Sequence, residues 1–190
     1  MFDLKKFIED CKKAVMSDQA QPQVKVLMEE AFSDPQALQQ ALQQALDDAS
    51  PGKSVAPLYS DEYLTILRVA TPANFLSPIH NHLMWAMIGI LEGEEKNYLY
   101  RRTSDGGVEV EQELVLNPET GIFSLRADAI HAIETPPGQE MCGLHVYGGN
   151  ILQRSSRSVW DPETMEELPY NFEQVMSFAK TLSAGRAVGA

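Results

Sequence analysis

The chain has 190 residues and a mass of 21.1 kDa, which predicts one domain with a substantial core. Its 15 Lys and Arg residues and 27 Asp and Glu residues give a formal net charge of -12, so phosphate backbones and anionic membrane surfaces would repel it. We therefore expect no nucleic-acid partner and no membrane partner. The sequence has neither an apolar run of about 20 residues nor an apolar secretory leader, so we expect a cytoplasmic location.

Apolar periodicity predicts helices in the first quarter of the chain. From Leu4 to Val15 the apolar residues recur at helical spacing and form one stripe. A second stretch of this kind covers residues 23–32. Asp34 followed by Pro35 is a helix-start signal, because the carboxylate accepts hydrogen bonds from free backbone N–H groups and Pro suits the first helical position. We expect this third helix to end at Ser50-Pro51-Gly52.

The two cysteines, Cys11 and Cys142, lie in segments of different character and cannot form a disulfide framework in a chain of this size. Cys11 falls on the apolar stripe of the first predicted helix. We expect both thiols to be reduced and buried, because an unpaired Cys commonly packs as a small apolar side chain.

Short β-type runs separated by turn residues follow from Tyr63 onward, and Asn171 begins a final helical run that extends to about Lys180. The predicted strands are Tyr63–Ala70, Trp85–Leu91, Tyr98–Arg102, Val108–Leu116, Ile122–Leu125, Leu144–Tyr147 and Ser158–Trp160. We interpret residues 92–95, with Gly93 among acidic neighbours, as a solvated turn. Many short strands at this spacing predict a sandwich or barrel, and a jelly roll is a standard way to close such a sheet.

The predicted fold class is thus mainly β, a jelly-roll barrel with helices at both ends. We expect residues 1–50 to form a helical segment packed on the barrel and residues 51–190 to form the barrel with its C-terminal helix, as one folded unit. Nothing in the sequence distinguishes a monomer from a small homo-oligomer.

The four histidines all lie in the predicted β region. His80 and His82 are two positions apart, so on a strand both side chains point to one face, as chelation of one ion requires. A third ligand must come from a distant strand, and His131 is placed to supply it. A lone His-x-His is also compatible with a surface pair, so the context of the motif matters.

That context resembles the first metal motif of the cupins, in which His-x-His is followed by a Glu and, six residues later, by a Gly. Here Gly93 is in place, while Ala86 stands at the position of the Glu. Three histidines without the carboxylate resemble the thiol dioxygenase branch of the cupins, the cysteine dioxygenase family and its bacterial relatives. The resemblance extends over roughly residues 60 to 160. It implies a cupin double-stranded β-helix and Fe(2+) held by His80, His82 and His131.

The resemblance also implies a pair of residues beside the metal. The Ser-x-His-x-Tyr series of this family falls on Gly143, His145 and Tyr147, so the Ser is missing. Positions 143, 145 and 147 share a face on a strand, and His145 can therefore orient the phenol of Tyr147. Some family members join this Tyr to a Cys; the matching position here is Ala86, and we expect Tyr147 to be free. A core histidine is the alternative reading of His145.

An Arg that holds the substrate carboxylate is implied as well. The position about ten residues beyond the Tyr is Arg157 here, with Arg154 as a second candidate. Both could instead be surface charges, because exposed Arg is common. Arg68 lies nearest to the Arg position of another branch, but it does not match cleanly, and we do not assign it the role.

The function implied is an iron-dependent thiol dioxygenase that oxidises a small carboxylate-bearing thiol, such as cysteine or 3-mercaptopropionate, to its sulfinate with O2. Two alternatives stay open. Three His ligands also suit catalytic Zn²⁺, so the barrel could be another metalloenzyme. The missing Ser at position 143 would fit a non-catalytic barrel that binds a metal or ligand.

Overall fold

The computed structural model describes residues 2–49 and 55–187. The helices are α1 (Leu4–Val15), α2 (Ala20–Phe32), α3 (Pro35–Ala49) and α4 (Phe172–Ala187). The strands are β1 (Val55–Ser60), β2 (Thr65–Thr71), β3 (His80–Asn81), β4 (Ala86–Glu92), β5 (Glu95–Arg102), β6 (Val108–Leu116), β7 (Phe123–Leu125), β8 (Ile130–Glu134), β9 (Met141–Tyr147), β10 (Ser158–Trp160) and β11 (Glu167–Pro169). The predicted helix end at 50–52 and the predicted boundary between 50 and 51 lie outside the described residues.

The strands form two antiparallel sheets. The five-stranded sheet has the order β1-β2-β9-β4-β7, and the six-stranded sheet has the order β11-β10-β3-β8-β5-β6. Strands of the first half of the barrel thus alternate with strands of the second half, as in a double-stranded β-helix. One apolar cluster joins the two sheets, with Leu67, Ile88 and Tyr147 from the first and Leu116 from the second. This architecture confirms the predicted fold class.

The N-terminal helices cover the outer face of the five-stranded sheet. Phe7, Cys11 and Met28 of α1 and α2 share a core with Met87 and Val146 of the sheet. These sheet positions alternate with inward-facing ones, because successive side chains of a strand point to opposite faces. The sheet is therefore apolar on both faces, and six of the seven residues of β4 are buried.

Most predicted elements are present with shifted ends. Helix α2 begins at Ala20 rather than at residue 23, and strand β9 begins at Met141 rather than at Leu144. Strands β3 and β8 are not in the list of predicted strands and were considered only as the setting of the histidines, while β1 and β11 were not predicted at all. Strand β1 is an edge strand that contains Pro57 and a register shift, and such a segment lacks the usual strand signature. Strand β11 is a three-residue edge strand with no fully buried side chain.

Helix α4 closes the chain against the barrel. Asn171 caps it, because the Asn171 Oδ1 accepts a hydrogen bond from the Gln174 N–H at 3.0 Å. Near the other end, the Ser183 backbone carbonyl accepts from the Asn74 side chain at 3.2 Å, and the Ser183 Oγ accepts from the Leu76 N–H at 3.0 Å. An ion pair between Arg186 and Glu134 adds to this anchor. The helix is therefore capped at its start and anchored to the barrel near its end.

Both cysteines are free and buried, as predicted. Burial raises the pKa of the Cys11 thiol to about 12, so this thiol is un-ionised at neutral pH. Cys142 and Tyr147 lie on the same strand, β9. Their odd offset places them on opposite faces, roughly 16 Å apart at about 3.3 Å per residue. We therefore still expect a free Tyr147.

No helix within residues 2–49 and 55–187 is long and apolar enough to cross a membrane.

Gly93, in the turn between β4 and β5, offers a test of the close packing at this end of the barrel. Its φ is +78°, and a Cβ built on it would lie 2.0 Å from the backbone oxygen of Glu140. Gly93→Ala should lower the free energy of unfolding by more than about 3 kcal/mol. The overlap of the Cβ with the backbone adds to the cost of about 1 kcal/mol for placing Ala in a left-handed conformation. Gly106→Ala is the matched control, with φ +89° and no atom within 4 Å of the added Cβ. Urea unfolding that gave equal losses for both variants would contradict the packing argument.

Candidate metal centre

Three histidines converge inside the barrel. His80 on β3 pairs directly with His131 on β8, and His82 follows two residues after His80. The His82 Nε2 lies 3.3 Å from the His80 Nε2 and 3.3 Å from the His131 Nε2. The ligand atoms of the three rings all lie within 4.8 Å of one another. The structure thus brings together the three residues predicted from the sequence.

Hydrogen bonds fix the tautomers of two of these rings. The His80 Nδ1 donates to the Pro78 carbonyl at 3.0 Å, and the His131 Nδ1 donates to the Asn97 Oδ1 at 3.1 Å. Because each oxygen accepts, the proton of each ring is on Nδ1 and the lone pair is on Nε2. Ligating histidines are commonly oriented in this way by a partner of the second nitrogen.

The cluster fits a divalent transition metal. Burial lowers the pKa of His80 to about 4 and lowers the pKa of His82 and His131 well below the usual value, so all three rings are neutral at neutral pH. Neutral imidazole is the form that binds metals. The His80 and His131 Nε2 lone pairs both lie 3.3 Å from the His82 Nε2, which can offer one proton at most, whereas a cation between the three nitrogens would satisfy all three lone pairs. An all-imidazole site suits Fe, Zn, Cu or Ni rather than Mg or Ca.

The chain around His82 is held by neighbouring segments. It turns directly after this residue, where Leu83 has the left-handed φ of +53°, rare for a residue with a branched side chain. The Leu83 carbonyl accepts a hydrogen bond from Arg154 at 3.0 Å. On the other side of His82, the Asn81 Oδ1 accepts from the Ser158 N–H at 2.8 Å. These contacts hold the chain on both sides of His82.

Glu95 and Asn97 are site residues that the sequence interpretation missed. Glu95 is 0% exposed and faces the interior, so the prediction of a solvated turn at residues 92–95 is wrong for this residue. Its Oε1 accepts from the Asn97 Nδ2 at 2.8 Å, and the Asn97 Oδ1 in turn accepts from His131. The signal was the period of a strand, since extending β5 back to position 95 places both residues on one inward face.

His145 and Tyr147 lie beside the three histidines. The His145 Nδ1 is 3.2 Å from the Tyr147 Oη, and the ring centroids of Tyr147 and His82 are 5.3 Å apart. Burial lowers the pKa of His145 to about 4. Burial also raises the pKa of Tyr147, and the nearby Glu95 raises it further. Both groups are therefore neutral at neutral pH. The contact predicted between them is present.

The missing Ser leaves a visible consequence. The His145 Nε2 is buried without a hydrogen-bond partner, and a Cβ at Gly143 would lie 3.5 Å from it. The same Cβ would lie 2.6 Å from the Gly89 backbone oxygen. A Ser side chain therefore could not be added here without a shift between β4 and β9.

Arg157 lines the same cavity and is only 8% exposed. Its guanidinium stacks on the Tyr170 ring at 3.6 Å, and its Nε donates to the Arg154 carbonyl at 3.0 Å. Arg157 has no acidic partner among the residues that the structure describes. Arg154 also reaches the cavity wall, but it is exposed and bonded to Leu83.

The cavity that contains these groups has a volume of about 730 Å³. Its polar side chains are Ser77, His80, His82, Glu95, His131, His145, Tyr147, Gln153, Arg154, Ser155, Arg157, Tyr170 and Asn171. Every site residue predicted from the sequence therefore lies at one cavity.

The double-stranded β-helix described above is the cupin fold, as the sequence predicts. One solved structure similar to this chain is the DMSP lyase DddQ from Ruegeria pomeroyi DSS-3, with a TM-score of 0.51, 18% identity, and coverage of 67% of this chain and 68% of that one. At this identity the likeness shows a shared fold alone.

Two other solved structures are less similar. An RmlC-like cupin family protein from Methanocaldococcus jannaschii has a TM-score of 0.43 and 15% identity, over 55% of this chain and 89% of that one. Hydroquinone 1,2-dioxygenase from Sphingomonas sp. TTNP3 has a TM-score of 0.41 and 9% identity, over 56% of this chain and 74% of that one. These values are too low to support an argument. No protein-family model and no curated protein matches the chain.

The three-histidine cluster predicts about one transition-metal ion per purified chain. Replacing His80, His82 or His131 with Ala should remove the ion, because two imidazoles hold a metal weakly, whereas the control His145→Ala should retain it. Elemental analysis of the purified proteins measures this. Full occupancy in the His131 variant would show that the ligand set is wrong.

Glu95 predicts how the stability of the metal-free chain depends on pH. Burial raises the pKa of Glu95 to about 7 in the folded chain, so the unfolded chain ionises first and stability is lost as the pH rises through this range. Glu95→Gln keeps an acceptor for Asn97 and cannot ionise. Between pH 5 and pH 8 the unfolding free energy of this variant relative to wild type should increase by on the order of 2–3 kcal/mol.

Urea unfolding of chelator-treated proteins at the two pH values checks this expectation. Glu94→Gln, which removes a half-exposed carboxyl from the same turn, is the control and should leave the pH profile unchanged. Parallel profiles for Glu95→Gln and wild type would contradict the burial argument.

Proposed function

We propose that this chain is an iron-dependent thiol dioxygenase that oxidises a carboxylate-bearing thiol, built like cysteine or 3-mercaptopropionate, to its sulfinate with O2. The supporting observation is that a three-histidine cluster without a carboxylate ligand shares one cavity with Arg157, a nearly buried guanidinium without an acidic partner among the described residues. A cation and a guanidinium in one cavity match the two anionic groups of such a substrate, its thiolate and its carboxylate.

The proposed cofactor is Fe(2+), held by His80, His82 and His131. Bound to three neutral imidazoles, the ion would keep a net positive charge, favour the ionised thiol and leave positions open for the thiolate and O2. In the overall reaction both oxygen atoms of O2 are added to the sulfur of the substrate. The sulfur is oxidised and O2 is the oxidant, so no separate reductant is consumed.

Arg157 is proposed to hold the substrate carboxylate. Its Nε is bonded to the Arg154 carbonyl and its plane is stacked on Tyr170, which fixes the orientation of the guanidinium. The Nε bond leaves the two terminal nitrogens for a carboxylate in the bidentate geometry that Arg favours. Arg154 is the weaker candidate because it is exposed and already donates to Leu83.

Tyr147 and His145 are proposed to act beside the sulfur. The phenol of Tyr147 stays protonated because burial raises its pKa, so it can donate a hydrogen bond into the cavity. His145 contacts the phenol oxygen at 3.2 Å and limits where the O–H can point. This pair would stabilise negative charge that develops on oxygen during the reaction.

The proposed partners are a small-molecule thiol and O2, with no nucleic-acid or membrane partner. The proposed location is the cytoplasm, which suits two unpaired thiols. A monomer and a small homo-oligomer are equally compatible with this proposal.

One observation favours a second candidate, a barrel that binds a metal or ligand without turnover. The His145 Nε2 is buried without a partner, so the position of the His145–Tyr147 pair is less constrained than in the family pattern. A three-His zinc enzyme is a third candidate on ligand chemistry alone.

Oxygen uptake separates these candidates. Protein loaded with Fe(2+) or with Zn²⁺ is mixed with a panel of small thiols, and the products are identified by mass spectrometry. We expect oxygen uptake and a sulfinate product from the Fe(2+)-loaded protein but not from the Zn²⁺-loaded protein. Both oxygen uptake and sulfinate should be lost in His131→Ala. Absence of uptake with every thiol, or uptake without sulfinate, would reject it.

Arg157 gives the sharpest test of substrate binding. Arg157→Lys keeps the charge but loses two-point geometry, so the KM for a carboxylate-bearing thiol should rise about tenfold or more, while the KM for an uncharged thiol changes less than about twofold. Arg154→Lys is the matched control and should leave both values near wild type. Steady-state oxygen uptake measures these constants, and equal effects of Arg157→Lys on both thiols would exclude the carboxylate role.

A further inference from the structure

The cavity is much larger than the substrate head that the proposed chemistry requires. Its volume is about 730 Å³, within the range of about 300–1,000 Å³ that is typical of sites for drug-sized ligands. A mercapto acid such as 3-mercaptopropionate has about six non-hydrogen atoms and would fill only a small part of a site of this class. Most of the volume therefore has no role in binding such a head.

Apolar side chains line the remaining volume and begin next to the metal cluster. Leu67 of β2 and Ile88 of β4 both pair with His145, so they share its inward face. Val69 lies two positions after Leu67, and Ile133 lies two positions after the ligand His131, so each continues the same face of its strand. The apolar cavity wall consists of Leu67, Val69, Phe75, Ile88, Ile133, Ile151, Leu152, Phe172 and Val175.

Two of these side chains extend the apolar wall to the mouth of the cavity. Phe172, at the start of α4, is 66% exposed, and Leu152, in the turn after β9, is 54% exposed. Exposed large apolar side chains at the mouth of a site commonly mark a ligand surface. The Tyr170 N–H, two residues before Phe172, donates to the Arg157 carbonyl at 2.8 Å, and this bond ties the start of α4 to the cavity wall.

The charged groups set the orientation of a ligand in this cavity. Val159 on β10 pairs directly with His80, and Arg157 lies two residues before Val159, so the guanidinium and the histidine cluster lie in one part of the cavity. The apolar wall, by contrast, extends outward to Leu152 and Phe172. A ligand that matches both parts has an anionic head and an apolar body.

We propose that the substrate is an amphipathic mercapto acid, whose carboxylate meets Arg157 and whose hydrocarbon or aryl body lies along the apolar wall toward Leu152 and Phe172. The role of the thiol rests on the proposed function, but the binding of an amphipathic acid does not. Each buried methylene of the body should tighten binding about two- to fourfold until the cavity is filled.

Calorimetric titration of the metal-loaded protein with thiol-free probes tests this inference. Octanoate should bind roughly tenfold or more tightly than butanoate, because of its additional apolar carbons. Octanol should bind at least about tenfold more weakly than octanoate, because it has no charge to meet Arg157. Equal affinities for butanoate and octanoate, or for octanol and octanoate, would overturn the proposal.

Variants at the cavity mouth locate the apolar body without disturbing the core. Leu152→Asn, which adds polarity without charge, should weaken octanoate binding much more than butanoate binding. Val115→Asn is the matched control on β6, where the side chain is 43% exposed and outside the cavity, and it should bind both acids as wild type does. Equal loss in both variants would show that octanoate does not lie along Leu152, which contradicts the proposal.

The same experiments separate this inference from the proposed function. If 3-mercaptopropionate is converted to its sulfinate while affinity does not depend on chain length, the dioxygenase stands and the amphipathic substrate is rejected. If affinity rises steeply with chain length while no thiol is oxidised, the ligand class stands and the dioxygenase is rejected.

Discussion

The register between β3 and β8 is the constraint on which the metal centre depends. His80 lies directly opposite His131 in this pair, and His82 reaches the same point from beyond the end of β3. A slip by one residue would turn each side chain to the other face of the sheet. The bond from the Asn81 side chain to Ser158 and the bond from Arg154 to Leu83 both oppose such a slip, since they tie the segment of the ligands to a third part of the chain.

Burial then gives the cluster its chemistry. Removal from water keeps the histidine rings and the Tyr147 phenol neutral, so metal ligands and a hydrogen-bond donor coexist at neutral pH. The buried carboxyl of Glu95 also contributes to the site, because it accepts a hydrogen bond that orients Asn97, and Asn97 in turn orients His131. The chain is strongly acidic overall, yet the nearly buried guanidinium of Arg157 lies in this cavity near the histidine cluster. The local charge therefore favours an anionic ligand although the whole protein is an anion.

The helical layer and the site use opposite faces of one sheet. On β9, Leu144 and Val146 pack against the N-terminal helices, while His145 and Tyr147 face the cavity. This two-sided burial explains why every residue of β9 and six of the seven residues of β4 are buried. The strand that carries His145 and Tyr147 therefore packs directly against α1 and α2.

Most of the helices and strands, and seven of the residues that line the cavity, could be predicted from the sequence. Helical periods, turn residues and the spacing of His80 and His82 follow from local rules, and the third histidine followed from the need for another ligand. The sequence could not assign Glu95, because an acid in a turn that contains Gly93 is predicted to be solvated, and only the pairing of β5 with β8 brings its partner Asn97 to His131. It also could not show the size of the cavity, the stacking of Arg157 on Tyr170 or the orphaned His145 Nε2, which depend on residues far apart in the chain. The spacing of residues within a short segment predicts helices, strands and candidate ligands, because these depend on near neighbours in the chain. Strand register, side-chain burial and cavity volume arise only when both sheets and α4 pack together.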